Sequence, residues 1–436
     1  MSSIKSNLFS VAIILLFVLS GCDLFTDMND EEPEEHEPRA AYNYQWSEPE
    51  YVSTGLPNRV IYPDMVIHRE RKKFAWGHTV EDGLDPEDIY NRVYDGSWEE
   101  PENISNSIYE SSHTVLERAP DGTLHLVWAE NRTDEQDEDQ PPRPTGPGSD
   151  ADVILYSNNA GGSWQEPELL YDAGTNDFFF PPSSIGFDEN DNPHVVFTAF
   201  DAANEYAMFY MNKTGGAWSE VKKIQNRASL ADLTMSRNGT MAITYISAYT
   251  DEEEEEAYGN SVFIRTSEDL GETWSDPVLV DKSDDGHNQH PIITSSPDGK
   301  LHLIWFKAME NRGSSSIVDY AYHSYSEDGG ASWSDPVNVT PEVETHLHIF
   351  DQPSVTINDE GHVLLAFVMG AFSGSDFPLY IAEWSPGEGW TEEENLFDAR
   401  SVNQQIAVDS DDSGFHILFF SGDFDENGLF YSNSIR

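Results

Sequence analysis

Seven tryptophans recur along the chain at nearly even intervals. Trp46, Trp98, Trp164, Trp218, Trp274, Trp333 and Trp390 are separated by 52 to 66 residues. Each closes a similar local pattern: a short apolar run, a polar turn with glycine, then the indole at the head of a second run. That order is a hairpin signature. A period slightly above fifty residues marks a repeat architecture, and four strands per repeat is the usual content of a propeller blade. Such a chain builds one continuous core from many units, so 436 residues need not mean several domains.

Two copies are nearly identical. Ser267–Trp274 reads Ser-Glu-Asp-Leu-Gly-Glu-Thr-Trp and Ser326–Trp333 reads Ser-Glu-Asp-Gly-Gly-Ala-Ser-Trp. Both continue as Ser-Asp-Pro-Val, at Ser275–Val278 and Ser334–Val337. Asp269 and Asp328 suit the N–H groups of a tight turn, and Gly271 and Gly330 suit a backbone with positive φ. Ser157–Trp164 is a looser copy, with Asn159 in the aspartate position, Gly161, and Trp164 at its end. Shortened copies end at Trp98, Trp218 and Trp390.

The pattern resembles the Asp box, or BNR repeat, of sialidases and related β-propellers. The resemblance implies an all-β fold in which the box is a structural turn distant from the active centre. The repeat count departs from the six blades of sialidases proper. Trp46 stands near the N-terminus without three strands before it, while Gln405–Val408, Phe415–Phe420 and Gly428–Ser434 read as three strands with no fourth. Leu429-Phe430-Tyr431-Ser432-Asn433 matches Leu155-Tyr156-Ser157-Asn158-Asn159, which does precede a tryptophan strand. The expectation is a seven-bladed β-propeller over 44–436, closed by pairing of the N- and C-terminal strands, with six blades as the lesser alternative. Closure also removes an exposed sheet edge.

Before the propeller, a short apolar run follows Lys5 and ends in Leu19-Ser20-Gly21-Cys22. It is too short for a confident membrane span. It resembles a bacterial lipoprotein signal, which implies a signal peptide over 1–21, lipidation of Cys22, and attachment to a membrane of the cell envelope. The outer membrane, with exposure at the cell surface, is the location this reading implies. Cys22 is the single cysteine, so no intrachain disulfide forms. Residues 22–43 are acidic and poor in apolar groups, which suits a disordered tether.

With 80 acidic and 23 basic residues the net charge is −57. Such a chain is not built to bind nucleic acid through phosphates. The plain reading is a solvated acidic surface. No cofactor is called for, and calcium is the one ion that acidic loops such as Thr133–Asp152 and Thr250–Gly259, expected exposed and mobile, would suit.

Propeller ligands gather at one mouth of the central channel. Counting back from the turn glycines places His113, His290, Gln352 and Gln405 on the inner strands, with Asp64, Ser183 and Asp232 beside the matching positions. The ends of second strands add His78, Glu130, Arg132, Tyr245 and Lys307; loops add His287, His346, His348 and Asp351. His113, His290, Tyr245 and Arg132 are the catalytic candidates, as base, acid and neutralising cation. Asp64, His78, Glu130, Asp232, His287, Lys307, Asp351 and Gln352 are the ligand-binding candidates. Polar residues on inner strands equally suit a solvated channel wall. His125 and His302 occupy equivalent second-strand positions and read as structural, and His-x-x-His and His-x-His spacings are too common to assign a metal.

Sialidases hold a carboxylate with three arginines. The stretch that matches the first of these is Tyr62-Pro63-Asp64-Met65, without arginine. Arg265 lies on an outer strand, and Arg132 and Arg312 lie in loops, so sialidase activity is not expected. Seven-bladed polysaccharide lyases are a looser resemblance, carried by histidine, tyrosine and arginine types alone. The expected function is glycan binding at the channel mouth. Glycan cleavage by a lyase or glycosidase and a protein-interaction scaffold are the alternatives. Oligomeric state is not legible.

Overall fold

The structure is a computed structural model. It describes residues 44–52, 60–68, 71–78, 88–95, 97–132, 153–172, 179–200, 205–251, 256–283, 286–309, 317–340, 347–371, 377–397, 402–421 and 428–435. The expected signal peptide, the tether with Cys22, the loop 133–152, Arg312 and His346 lie outside the described residues.

All regular structure among the described residues is β, and it forms seven antiparallel sheets. Each sheet is a blade of four successive strands, from the channel outwards. Blade 1 runs Val60–His68, Arg71–His78, Asp88–Asp95, Glu102–Asn103. Blade 7 takes three strands from the C-terminal end, Val402–Asp411, Gly414–Ser421 and Gly428–Ile435, and its outermost pieces from the other end of the propeller. Gln45–Trp46 pairs with Ile435 and Ser434, and Glu50–Tyr51 pairs with Tyr431 and Phe430. The ring therefore closes by sharing a sheet between the two ends, and Ser47 reinforces it by bonding Ser432.

Seven apolar clusters fill the seven gaps between blades, and one of the recurring tryptophans stands in each. Trp98 packs between blades 7 and 1, Trp164 between 1 and 2, and Trp218 between 2 and 3. Trp274, Trp333, Trp390 and Trp46 follow in turn. A blade is apolar on both faces, so each indole seals its own blade to the preceding one. This explains the sequence period: one wedge per gap.

The turns that carry the wedges are built as their residues dictate. In blade 4 the Thr273 N–H and hydroxyl donate to the two Asp269 oxygens at 2.8 and 2.6 Å, and the Gly271 N–H donates to Ser267 Oγ at 2.9 Å. Blade 5 repeats this with Ser332, Asp328, Gly330 and Ser326. In blade 2 Asn159 accepts instead from the Leu124 N–H at 2.7 Å. Gly271 has φ +81°, and a Cβ there would meet the Tyr210 ring at 2.4 Å. Gly161, with φ +82°, has open space around it.

One expectation is corrected. Thr250–Gly259 is not simply a loop: Met241–Asp251 and Glu256–Ser267 continue pairing out to Asp251 opposite Glu256. Tyr249, Tyr258 and Ala257 supply the strand-forming residues that the acidic run obscured.

Candidate functional site

Every inner strand slips register against its neighbour at the same place. Pairing breaks between Ile61 and Asp64, Ser112 and Val115, Phe180 and Ser184, Ser229 and Asp232, Gln289 and Ile292, Phe350 and Ser354, and Val402 and Ile406. Each slip is a bulge that bends the strand and re-aims its side chains. In blades 2, 4 and 5 the bulge contains a residue in the left-handed region: His113 at φ 56°, Leu230 at 52° and His290 at 43°. Such a backbone is strained for a residue with a Cβ, by roughly 1–2 kcal/mol. Two of the catalytic candidates thus share one unusual backbone position, and both line the channel.

Where the strands regain register, four side chains latch neighbouring blades together. The Leu116 N–H donates to Asp64 Oδ2 at 2.7 Å, Leu233 N–H to Ser184 Oγ at 3.1 Å, Ile293 N–H to Asp232 Oδ2 at 2.8 Å, and Val408 N–H to Ser354 Oγ at 3.1 Å. Asp409 closes the ring by accepting from the Ile67 N–H at 2.6 Å. Asp64 and Asp232, expected as ligand-binding residues, therefore also hold backbone between blades.

The inner strands enclose a cavity of about 560 Å³ on the propeller axis. His113, Leu230 and His290 line it at the bulges. Further along the same strands come Asp64 and Asp232, then Glu117 and Asp409, with Arg118 as the one arginine among the described lining residues. Burial raises Asp64 to about 7 and Asp409 to about 6, and it also raises Asp232. Burial pushes Glu117 well above the usual carboxylate range, helped by the charges of Asp64, Asp409 and Asp232. Protein surrounds Glu117, yet its side chain stays exposed because it faces the lumen, where solvent screens the effect. Four carboxyl groups in one narrow space favour holding protons at neutral pH. His113 behaves in the opposite sense: burial lowers it to about 3, leaving a neutral imidazole whose Nδ1 lies 2.8 Å from Ser112 Oγ.

The other expected residues disperse. Tyr245 is 1% exposed and stacks on Phe263, in the cluster between blades 3 and 4 rather than on the channel. Arg132 donates through Nε to Glu130 at 2.7 Å and lies over the Tyr109 ring. Glu130 is buried and also accepts from Ser111. Lys307 is buried 3.4 Å from Asp281 and over Tyr322. His287 is exposed on the inner strand of blade 5. For His78, Asp351, Gln352, His348, Gln405 and Ser183 the strand positions are described, in Arg71–His78, Leu347–Ile357, Val402–Asp411 and Phe179–Phe187, but their side chains lie outside the described residues.

His125 is structural as expected: its Nδ1 pairs with the Tyr156 hydroxyl at 2.7 Å. Blades 3 and 7 repeat this pair with His194 and Tyr210, and His416 and Tyr431, both at 2.5 Å. In blade 5 His302 meets His323 at 3.1 Å instead. Among the described residues no group of three or more His, Cys, Asp or Glu side chains is placed to hold a metal ion.

Glu117, Arg118 and Asp409 were missed by the sequence reading. The signal was present for Glu117: it stands two residues beyond Val115, so strand alternation puts it on the lumen face.

No protein-family model and no curated protein sequence matches the chain. Solved structures do match in fold. An ulvan lyase from a new polysaccharide lyase family, free and bound to a glucuronate–sulfated rhamnose chain, superposes with a TM-score of 0.58 at 11% identity, covering 88% of this chain and 95% of that one. A protein of unknown function from Dyadobacter fermentans reaches 0.50 at 15% identity, over 90% and 99% of the two chains. A Trypanosoma rangeli sialidase with bound sialic acid reaches 0.48 at 11% identity, over 91% of this chain and 60% of that one. These similar propellers include proteins that act on carbohydrates.

Proposed function

We propose that this is a glycan-binding propeller, held at a membrane surface by lipid on Cys22, and that it takes a sugar chain end into the channel at His113 and His290. The observation that carries this reading is the axial cavity itself. It has the size of a small-ligand site, and convergent polar groups line it. Two histidines are held there in left-handed backbone that the fold would otherwise avoid. Kinship in fold with carbohydrate-active propellers supports a sugar as the ligand class.

A second reading is glycan cleavage, and one observation favours it. His113 stays neutral and is oriented by Ser112, which suits a general base. A lyase would then release an unsaturated uronate product, seen by its ultraviolet absorbance.

The decisive experiment presents a glycan array to the chain from Ala40 onwards, and to His113→Ala and His290→Ala. Binding by the parent chain and its loss in both variants is expected. Absence of any glycan binding would leave a protein scaffold as the better account. For the anchor, Cys22→Ser should move the protein from the membrane fraction to the soluble fraction; an unchanged distribution would remove the lipid from the proposal.

A further inference from the structure

The charge inside the channel discriminates among sugars, and this extends the glycan reading just given. Asp64, Asp232, Glu117 and Asp409 all line the cavity below the two histidines. Strand geometry sets the first pair near the bulges and the second pair roughly 7 Å deeper, two residues along. Asp64, Asp232 and Asp409 are fixed in place by backbone N–H groups of the next blade, so they cannot swing away from a ligand. Glu117 receives no such bond across blades and faces the lumen. Arg118 is the only described cation opposing them. The molecule around the channel adds a net charge of −57, which repels anions before they arrive.

From this we infer that the channel selects sugars bearing an amino group, accepts uncharged ones less well, and rejects uronate, sialate and sulfated chains, with Glu117 as the main selecting residue. An ammonium group entering the lumen would lie among fixed carboxyl groups and restore the charge balance that they lack. A carboxylate or sulfate entering the same space would add a fifth negative group with one arginine to meet it. Such like-charge rejection is a general route to specificity. It also weighs against the lyase reading, whose substrate would be a uronate.

The test is calorimetric titration at pH 6, where an amino sugar is protonated. Three oligosaccharides of matched length are compared: amino, neutral and uronate. The expected order is amino tightest, neutral next and uronate weakest, with Glu117→Gln weakening the amino ligand by roughly tenfold, the scale of one charge contact in a partly wet site. The same variant should leave the neutral ligand within about twofold, since it preserves shape. Should the uronate bind as tightly as the neutral sugar, or should Glu117→Gln leave the amino ligand unchanged, charge selection fails while the glycan reading stands. If none of the three binds and the glycan array is also blank, both fail together. Asp409→Asn provides a second variant, should Glu117→Gln not fold.

Discussion

Aspartates at the outer turns and aspartates in the channel are the same residue under opposite pressures. Asp269 and Asp328 lie in the open, and hydroxyl and N–H donors four residues on hold each at about 2. Asp64 accepts two backbone N–H bonds, from Leu116 and Met65, yet rises to about 7. Hydrogen-bond number therefore does not decide the outcome. Loss of solvent, with neighbouring Asp409 of like charge, outweighs two good donors. The outer turns use an ionised aspartate to hold a shape, and the channel keeps carboxyl groups on the edge of ionisation where a ligand can tip them. Rim substitutions should then act on stability, and channel substitutions on binding and on its response to charge.

The harshest test at the rim is removal of everything through Val52. This takes Trp46 out of the cluster between blades 6 and 7 and strips the partner from Gly428–Ile435. It also removes the Val52 carbonyl to which Arg92 donates. The open edge would pair with other molecules. A melting temperature lower by on the order of 10 °C or more, with aggregation, is expected. A truncated chain that stays monomeric and melts within a few degrees of the parent would break the claim that closure matters.

Next come two glycines one blade apart. Gly271→Ala forces both a positive φ and a Cβ into the Tyr210 ring, and should cost about 3 kcal/mol. Gly329→Ala meets a positive φ of +73° and open space, and should cost about 1 kcal/mol. Urea midpoints compare them directly. Equal costs would mean that the wedge turns are not packed against the preceding blade as described.

The channel is probed by pH. Between the usual aspartate value of 3.8 and about 7, native Asp64 keeps a proton that the unfolded chain has released. Stability from this group is therefore fully present below 3.8 and falls as pH rises towards 7. Buried His125 and His302, both lowered to about 4, work in the other sense, because the unfolded chain binds protons that they refuse. The clean readout is thus a difference. Asp64→Asn removes the ionisation while keeping an acceptor for the Leu116 N–H. Its melting temperature relative to the parent should climb from pH 4 to pH 7 and level off above. A flat or falling difference would show that Asp64 is ionised throughout.

The architecture was legible in the sequence because the wedges are large, rare residues at a regular period. Trp46 with no strands before it and Tyr431 with no strand after it announced closure. The channel was half legible. Counting back from turn glycines found His113 and His290, since that count needs only a constant strand length. It could not show the bulge, which depends on φ, nor that Tyr245 points into the core between blades 3 and 4, since one residue of phase decides the face. Nor could it distinguish an Asp that meets a ligand from one that latches a neighbour's backbone, as Asp64 and Asp232 do at contacts spanning more than fifty residues.

The smallest effect expected is the one that separates positioning from packing at the mouth. Ser112 Oγ sits 2.8 Å from His113 Nδ1 and fixes the ring from one side. Ser112→Ala removes that contact without enlarging the cavity, so stability should change by no more than about 1 kcal/mol. The pH difference traced to Asp64 should be untouched, because that carboxyl group answers to Leu116, Met65 and Asp409. Glycan affinity should fall by roughly threefold to tenfold, the scale of one neutral hydrogen bond. It should fall less than in His113→Ala, and Ser112→Thr, which keeps the hydroxyl, should recover most of it. If Ser112→Ala binds glycan as the parent does while His113→Ala does not, the ring is held by its strained backbone alone, and the bulge rather than the serine is what positions it.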